Sequence, residues 1–366
     1  MKLIILGRGN AGCISAMHFA YFRKTLKTKL EIELIYDSKI QPVPTGQGTT
    51  LEFPNWLFFN FGSHYLDSFP VTQKTGIMYE NWSKKNKKFF HHFPLGRYAL
   101  HFSPDQFQDY VCKNLNIDFT QRDKNIKDYK SVDADYIIDC RGTPKNFDQY
   151  EPLINPLNCA LLSDLPQKEK DVKWTRSIAT PDGWCFYIPL PTKTSLGYIF
   201  NKNITSINQA TKNFKKLFKI NEVNQVFPFT QYVAKEPIID DRVLLNGNKL
   251  FFLEPLEATA MGAYIKVCQR YYNYMFNEVS KENTKKQINS MIYQIQEFIL
   301  WHYSKGSIYN TQFWKHAQNL YNTTPTSFLN KELKIIKGMS QGDLEISYNA
   351  VREFAMWPSF SLKLWQ

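Results

Sequence analysis

The chain has 366 residues, 43% hydrophobic and 16% aromatic, with a formal net charge of +12. That length suits about two domains with a sizeable core. No apolar run approaches the ~20 residues that span a bilayer, which excludes a membrane-embedded class. Six cysteines are scattered with no C-x-x-C pair, which excludes a disulfide framework and a zinc site; no metal site is expected. With no leader ahead of the first strand, a reducing cytoplasm is the expected location. The densest basic run (Lys84, Lys85, Lys87, Lys88) is short and lies in no nucleic-acid-binding motif. A solvated basic surface is therefore expected, and a nucleic-acid partner is not.

Leu3 to Leu6 form a continuous apolar run, the pattern of a strand buried on both faces of a parallel sheet. Gly7, Gly9 and Gly12, with Asn10 and Ala11 between them, complete G-x-G-x-x-G. Absent side chains there let backbone approach a pyrophosphate at a helix N-terminus; residues 11 to 28 are predicted as that helix. A second apolar strand, Ile32 to Tyr36, ends at Asp37, where a ribose-binding carboxylate is expected roughly 20 residues past the turn. Strand, turn, helix and acid in this order predict dinucleotide binding. A structural turn with incidental glycines is the alternative.

Further along, Ala134 to Asp139 reads as another strand, followed by Cys140, Arg141, Gly142 and Thr143. Residues 145 to 172 are polar and contain prolines, and are predicted as a loop or crossover. Two aromatic-rich runs between 184 and 200, separated by Pro189 and Pro191, predict a second, antiparallel sheet. Leu250 to Leu253 looks like a strand end, and Glu254, Pro255, Leu256, Glu257, Ala258, Thr259 and Ala260 follow it. Two carboxylates just beyond a strand usually face a ligand crevice. Ile288, Met291, Ile292, Ile295, Phe298, Ile299 and His302 recur at helical spacing. Alternating strands and helices to about residue 270 predict an α/β fold, with the 250s returning to the sheet begun at residue 3.

Four stretches in chain order resemble the flavin-dependent halogenases of the tryptophan halogenase family. They are the glycine turn; Gly46-Gln47-Gly48-Thr49 followed by Lys74-Thr75-Gly76-Ile77 and Trp82; Trp184-Cys185-Phe186-Tyr187-Ile188-Pro189; and Pro255-Leu256-Glu257-Ala258-Thr259. A weaker echo lies in His302-Tyr303 and Phe313-Trp314. The resemblance implies a glutathione-reductase-type FAD-binding fold: a Rossmann-like parallel sheet over residues 1–275, an inserted antiparallel sheet at about 150–235, and a helical substrate-side region over 276–366. It implies FAD, supplied reduced by a separate flavin reductase, and chloride, bromide or iodide. Besides the residues of the glycine turn and Asp37, the implied cofactor contacts are Gly46, Gln47, Gly48, Thr49, Gly247, Glu254, Pro255, Leu256, Met261 and Gly262. Halide is implied at the backbone amides of Thr259 and Ala260, where fixed N–H dipoles suit an anion.

The same resemblance makes Lys74 and Glu257 the catalytic pair, converging on one cavity. Hypohalous acid meets Lys74, which delivers electrophilic halogen to an indole- or phenol-like ring, and Glu257 acts as base or charge stabiliser. Burial would lower the Lys74 pKa. His91, Phe93, Trp184 and Phe186 are the implied substrate contacts. The chain departs from the family in Gln47, which stands where glutamate is usual, in Pro44, which replaces a glycine, and in Ala258, which replaces serine. Bulky Leu250, Phe251 and Phe252 precede Glu254 where small residues are usual. The chain is also shorter than tryptophan halogenases, so tryptophan itself is not carried over as substrate. An FAD-dependent monooxygenase on the same fold and a non-catalytic flavin- or nucleic-acid-binding protein are the competing readings. The oligomeric state is left open, a dimer being one option.

Overall fold

The computed structural model describes residues 1–326 except 43, 44, 86, 94, 95, 116, 169 and 170, and beyond them only 334 and 338. Pro44 and most of the sequence after residue 326 thus lie outside the described residues. The chain divides into two compact units. The first comprises Met1–Val71, Phe102–Pro152 and Tyr232–Ile292, and the second Thr72–His101, Leu153–Gln231 and Tyr293–Gln366.

The first unit is built on a six-stranded sheet in the order Ile238–Ile239, Val243–Leu245, Tyr136–Asp139, Lys2–Leu6, Glu31–Tyr36, Thr120–Asp123. Its strands run parallel apart from the Ile238–Ile239 edge. The 250s, expected to return to this sheet, do not: Val243–Leu245 takes that place beside Tyr136–Asp139, and Phe251–Phe252 pairs instead with Tyr232–Ala234 in a separate three-stranded sheet. Leu3, Ile4, Ile5 and Leu6 are buried, because a central parallel strand is covered on both faces. The next strand in sequence, Glu31–Tyr36, lies to one side of Lys2–Leu6, and Tyr136–Asp139 lies to the other. The order of the sheet therefore reverses at the end of the first strand, the point where open α/β sheets form their ligand crevice. Asn10–Thr25 is the helix that follows, and it packs against the Thr259–Met275 helix.

His18 lies within this packing and is 1% exposed. Its ring sits 4.2 Å from Trp56 and 4.6 Å from Phe22, and neither ring nitrogen has a hydrogen-bond partner among the described residues. Burial lowers its pKa to about 3. A folded-state pKa below the unfolded value means that acid favours the unfolded chain, so stability falls as pH drops from about 6.5 toward 3. By pH 5 this one imidazole is expected to cost about 2 kcal/mol. Urea midpoints at neutral pH and pH 5 check it: His18→Phe should lose less stability on acidification than the wild type, and equal losses would sink the assignment.

The second unit carries a seven-stranded sheet in the order Gln225–Pro228, Cys159–Pro166, Lys193–Phe200, Gly183–Pro189, Thr175–Thr180, Gly76–Glu80, Lys88–His92. All pairs are antiparallel except Thr175–Thr180 with Gly76–Glu80. Residues 159–166, predicted as loop or crossover, are a strand instead. Their polar positions are carried because ladders run on both sides, to Lys193–Phe200 and to Gln225–Pro228; such non-local pairing leaves no local signature. Alternation along Gly183–Pro189 separates two faces. Cys185 and Tyr187 join a core with Leu161, Tyr198 and Phe214. Trp184 meets Trp82 at 6.4 Å, and Trp82 in turn meets Trp314 at 5.4 Å. Among the described residues, no helix is long and apolar enough to cross a membrane.

Candidate functional site

At the switch point, the Lys2–Leu6 strand turns at Gly7, whose φ is +99°. The Gly7 N–H donates to the Ile35 carbonyl at 2.8 Å, which holds the ends of the two strands together, with Asp37 two residues further on. A Cβ on Gly12 would lie 1.8 Å from the Gly7 carbonyl oxygen, whereas one on Gly9 would meet nothing within 4 Å. Gly12 is thus required by the turn's own packing, while Gly9 borders open space. Gly9 is also the N-cap of Asn10–Thr25 and gives no side-chain cap, so the amides of that first turn are presented beyond the helix end. This is a cradle that fits a pyrophosphate.

Several of the other residues implied as cofactor contacts lie around this turn. Asn10 donates from Nδ2 to Met261 Sδ at 3.9 Å and accepts from Gln108 Nε2 at 3.3 Å. A Cβ on Gly247 would stand 2.5 Å from Ala11 Cβ. Asp37 accepts from Asn125 Nδ2 at 2.7 Å and from the Lys39 amide at 3.0 Å. The short Gln47–Gly48 strand packs against the Leu256–Ala258 turn, and Gln47 Nε2 donates to the Thr45 carbonyl at 3.3 Å. Thr49, Glu254 and Leu256 are each 1% exposed, Pro255 sits between the last two, and Gly46 adjoins the short strand. Gly262 is buried on the Thr259–Met275 helix.

Just before that helix the backbone is left-handed at two successive residues, Glu257 at φ +70° and Ala258 at φ +57°. Ala258 is the N-cap and offers no side-chain acceptor. The first-turn amides, those of Thr259 and Ala260 included, are therefore not capped by it and carry the positive end of a 17-residue helix dipole. That donor set fits an anion. A left-handed alanine is strained, so Ala258→Gly is expected to raise stability by about 1 kcal/mol, less the entropy glycine loses on folding. A denaturant midpoint that falls instead would show that the alanine methyl makes a packing contact worth more than the strain.

Lys74, in the second unit, ends the Val71–Lys74 strand and is 2% exposed. Its Nζ lies over the Phe93 ring at 5.6 Å, and His91 meets Phe93 at 5.6 Å in a T-shaped contact. Lys74, His91 and Phe93 are therefore brought together. Burial, then the Lys74 charge, then His302 push the His91 pKa down to about 3, which keeps that imidazole neutral at pH 7. His101, fully buried, is held well below the ordinary histidine value by the same two leading causes. Its Nε2 pairs with Thr175 Oγ1 at 2.8 Å. Sequence reasoning passed over His101; a histidine inside the apolar run Ala99–Phe102 was the available signal. Trp184 and Phe186 lie on one face of the sheet, their rings 6.2 Å apart. A Cβ on Gly197, the cross-strand partner of Phe186, would reach 2.1 Å from the Phe186 ring. Among the described residues, no cluster of three or more His, Cys, Asp or Glu suits a metal ion.

The family model for tryptophan halogenase matches residues 2–122 and 116–345. The chain belongs to the tryptophan halogenase family. Over 264 residues this family member is 22% identical to tryptophan 7-halogenase KtzQ of Kutzneria sp. (strain 744), a match covering 62% of this chain and 49% of that protein. The chain thus spans about half the length of the curated relatives it matches. Its fold is that of a tryptophan halogenase from Shewanella frigidimarina NCIMB 400, with a TM-score of 0.81 at 17% identity, covering 100% of this chain and 88% of that one. Xcc4156, a flavin-dependent halogenase from Xanthomonas campestris, gives a TM-score of 0.80 at 18% identity, covering 99% and 88%.

Proposed function

We propose that this halogenase-family chain is a flavin-dependent halogenase acting on an electron-rich aromatic ring of the indole or phenol type. The observation that carries the reading is Lys74, an amine 2% exposed over the Phe93 ring with a neutral His91 beside that ring. Desolvating a lysine is costly, and functional sites are where such a cost is usually borne. The turn from Gly7 to Gly12 would hold the pyrophosphate of FAD, which, when bound in its reduced state, would supply hypohalous acid from dioxygen and halide. The Thr259 and Ala260 amides hold the halide. Lys74 receives the hypohalous acid through its amine and presents electrophilic halogen to the substrate ring. Glu257 stabilises the cationic ring and takes its proton. His91 and Phe93 position the ring, with Trp184 and Phe186 as further wall residues. A separate flavin reductase supplies the reduced cofactor, and the cytoplasm is the proposed location.

The test is turnover with reduced FAD, bromide and a panel of indoles and phenols, read by mass spectrometry. Brominated product that depends on bromide supports the proposal. Hydroxylated product indifferent to halide would replace it with a monooxygenase.

A further inference from the structure

The seven-stranded sheet of the second unit ends at Lys88–His92, whose one ladder among the described residues is with Gly76–Glu80. That ladder fixes which way each backbone group points. Phe93 N–H donates to the Thr75 carbonyl at 3.0 Å, and Asn81 N–H to the Lys87 carbonyl at 2.7 Å. Ile77 stands opposite His91 and Tyr79 opposite Phe89. In this register the backbone groups of Lys87, Phe89, His91 and Phe93 face the sheet. Those of Lys88, Phe90 and His92 therefore point outward, and among the described residues no strand lies there to receive them. Such an edge is a template for a further strand.

Charge selects the strand it accepts. Residues 81–104 carry Lys84, Lys85, Lys87, Lys88 and Arg97 and no carboxylate. Lys88 is taken by Glu80 at 3.1 Å, whereas Lys84, Lys85 and Lys87 are exposed. A second copy of the chain would set these lysines against each other, and like charges across a strand pair repel. An acidic strand is attracted instead.

Position then joins the edge to the site. Side chains alternate along a strand, so His91 and Phe93 project from the face opposite Phe90 and His92. Lys74 Nζ lies over the Phe93 ring at 5.6 Å. A strand added about 4.8 Å beyond the edge puts every second side chain on the His91 face. On the other face Phe90 meets His92 at 4.2 Å and Trp174 at 5.5 Å, an aromatic shelf for the alternate residues.

We infer that Lys88–His92 docks an extended acidic peptide by strand addition, and that a Trp or Tyr of this peptide is the ring presented to Lys74. The inference rests on the role given to Lys74 under the proposed function and replaces a free small molecule by a peptide-borne indole or phenol. The chemistry is the same: a ring carbon takes the halogen of hypohalous acid and loses its proton, and the oxygen leaves as water.

The probe is a fluorescein-labelled, capped peptide, Glu-Thr-Glu-Val-Trp-Val-Glu-Thr-Glu, titrated with the full chain at low salt and read by anisotropy. Two further peptides carry N-methyl groups on alternate residues, one on each set. Strand addition uses the amides of one set only, so one methylated peptide should lose binding and the other keep it. The combined Lys84→Glu, Lys85→Glu and Lys87→Glu variant should bind the unmethylated peptide at least about tenfold more weakly and brominate free indole like the wild type. With reduced FAD and bromide, mass spectrometry should find bromine on the peptide Trp, at a higher kcat/KM than for the peptide with Gln in place of Glu.

No binding, equal effects of the two methylated sets, or an unaffected triple variant overturns the inference. Self-association that shuts the peptide out, or a single-stranded oligonucleotide bound more tightly than the peptide, also overturns it. So does a bound peptide left unbrominated while free indole is brominated. If the peptide binds and neither substrate is brominated, the proposed function fails and takes this substrate with it, which the binding data distinguish from a failure of docking. The methylated peptides decide the docking on the wild type even if the variant does not fold.

Discussion

Lys74→Ala is expected to lower halogenated product by about 10²-fold or more, the scale for a group that handles the reacting species, while reduced flavin is still consumed by dioxygen. The split between the two readouts is the point of the experiment. A purely structural lysine, lost from the second unit, would depress flavin consumption and halogenation together or neither. Because Lys74 is 2% exposed, alanine also leaves a cavity, so Lys74→Met is the companion variant: it keeps most of the volume and removes the amine. Circular dichroism should show both variants folded. If either keeps wild-type halogenation, Lys74 has no part in the chemistry.

The second large effect belongs to Gly12. Its hypothetical Cβ would sit 1.8 Å from the Gly7 carbonyl oxygen, a backbone atom in a turn already pinned by the Gly7 bond to Ile35. Gly12→Ala is therefore expected to destabilise by roughly 3 kcal/mol, the upper range for overpacking, and to lower the melting temperature by about 4 °C at this chain size. Gly9→Ala is the informative partner, because its Cβ would meet nothing within 4 Å. It should melt within about 1 °C of wild type, since the new methyl strains no neighbour. Its FAD affinity should nonetheless fall at least tenfold, since under the proposed function the methyl fills the space that pyrophosphate would take. Gly9→Ala binding FAD like the wild type would mean that the turn faces something else.

These expectations differ in how much of their basis was legible before folding. The strand, turn and helix over residues 2 to 25 could be read directly, because an unbroken apolar run and fixed glycine spacing are local properties. The Lys281–Ser304 helix was legible for the same reason, through its three- and four-residue periodicity. The segment 159–166 was not, because its strand character comes from partners more than 25 residues away in the chain, in ladders on both sides. The site divides along the same line. That Lys74 carries an amine and Glu257 a carboxyl is a matter of sequence. That Lys74 is almost fully buried over Phe93 follows from how the strands of the second unit fold around it.

By itself, the amino-acid sequence determined the motif order, the elements with strong local periodicity and the family, since side-chain type and spacing along the chain are sufficient for each. Tertiary structure alone decided that His91 and His101 are buried and neutral, and that Glu257 and Ala258 adopt left-handed backbone. Desolvation and backbone strain depend on atoms distant in the chain, and only folding brings those atoms together.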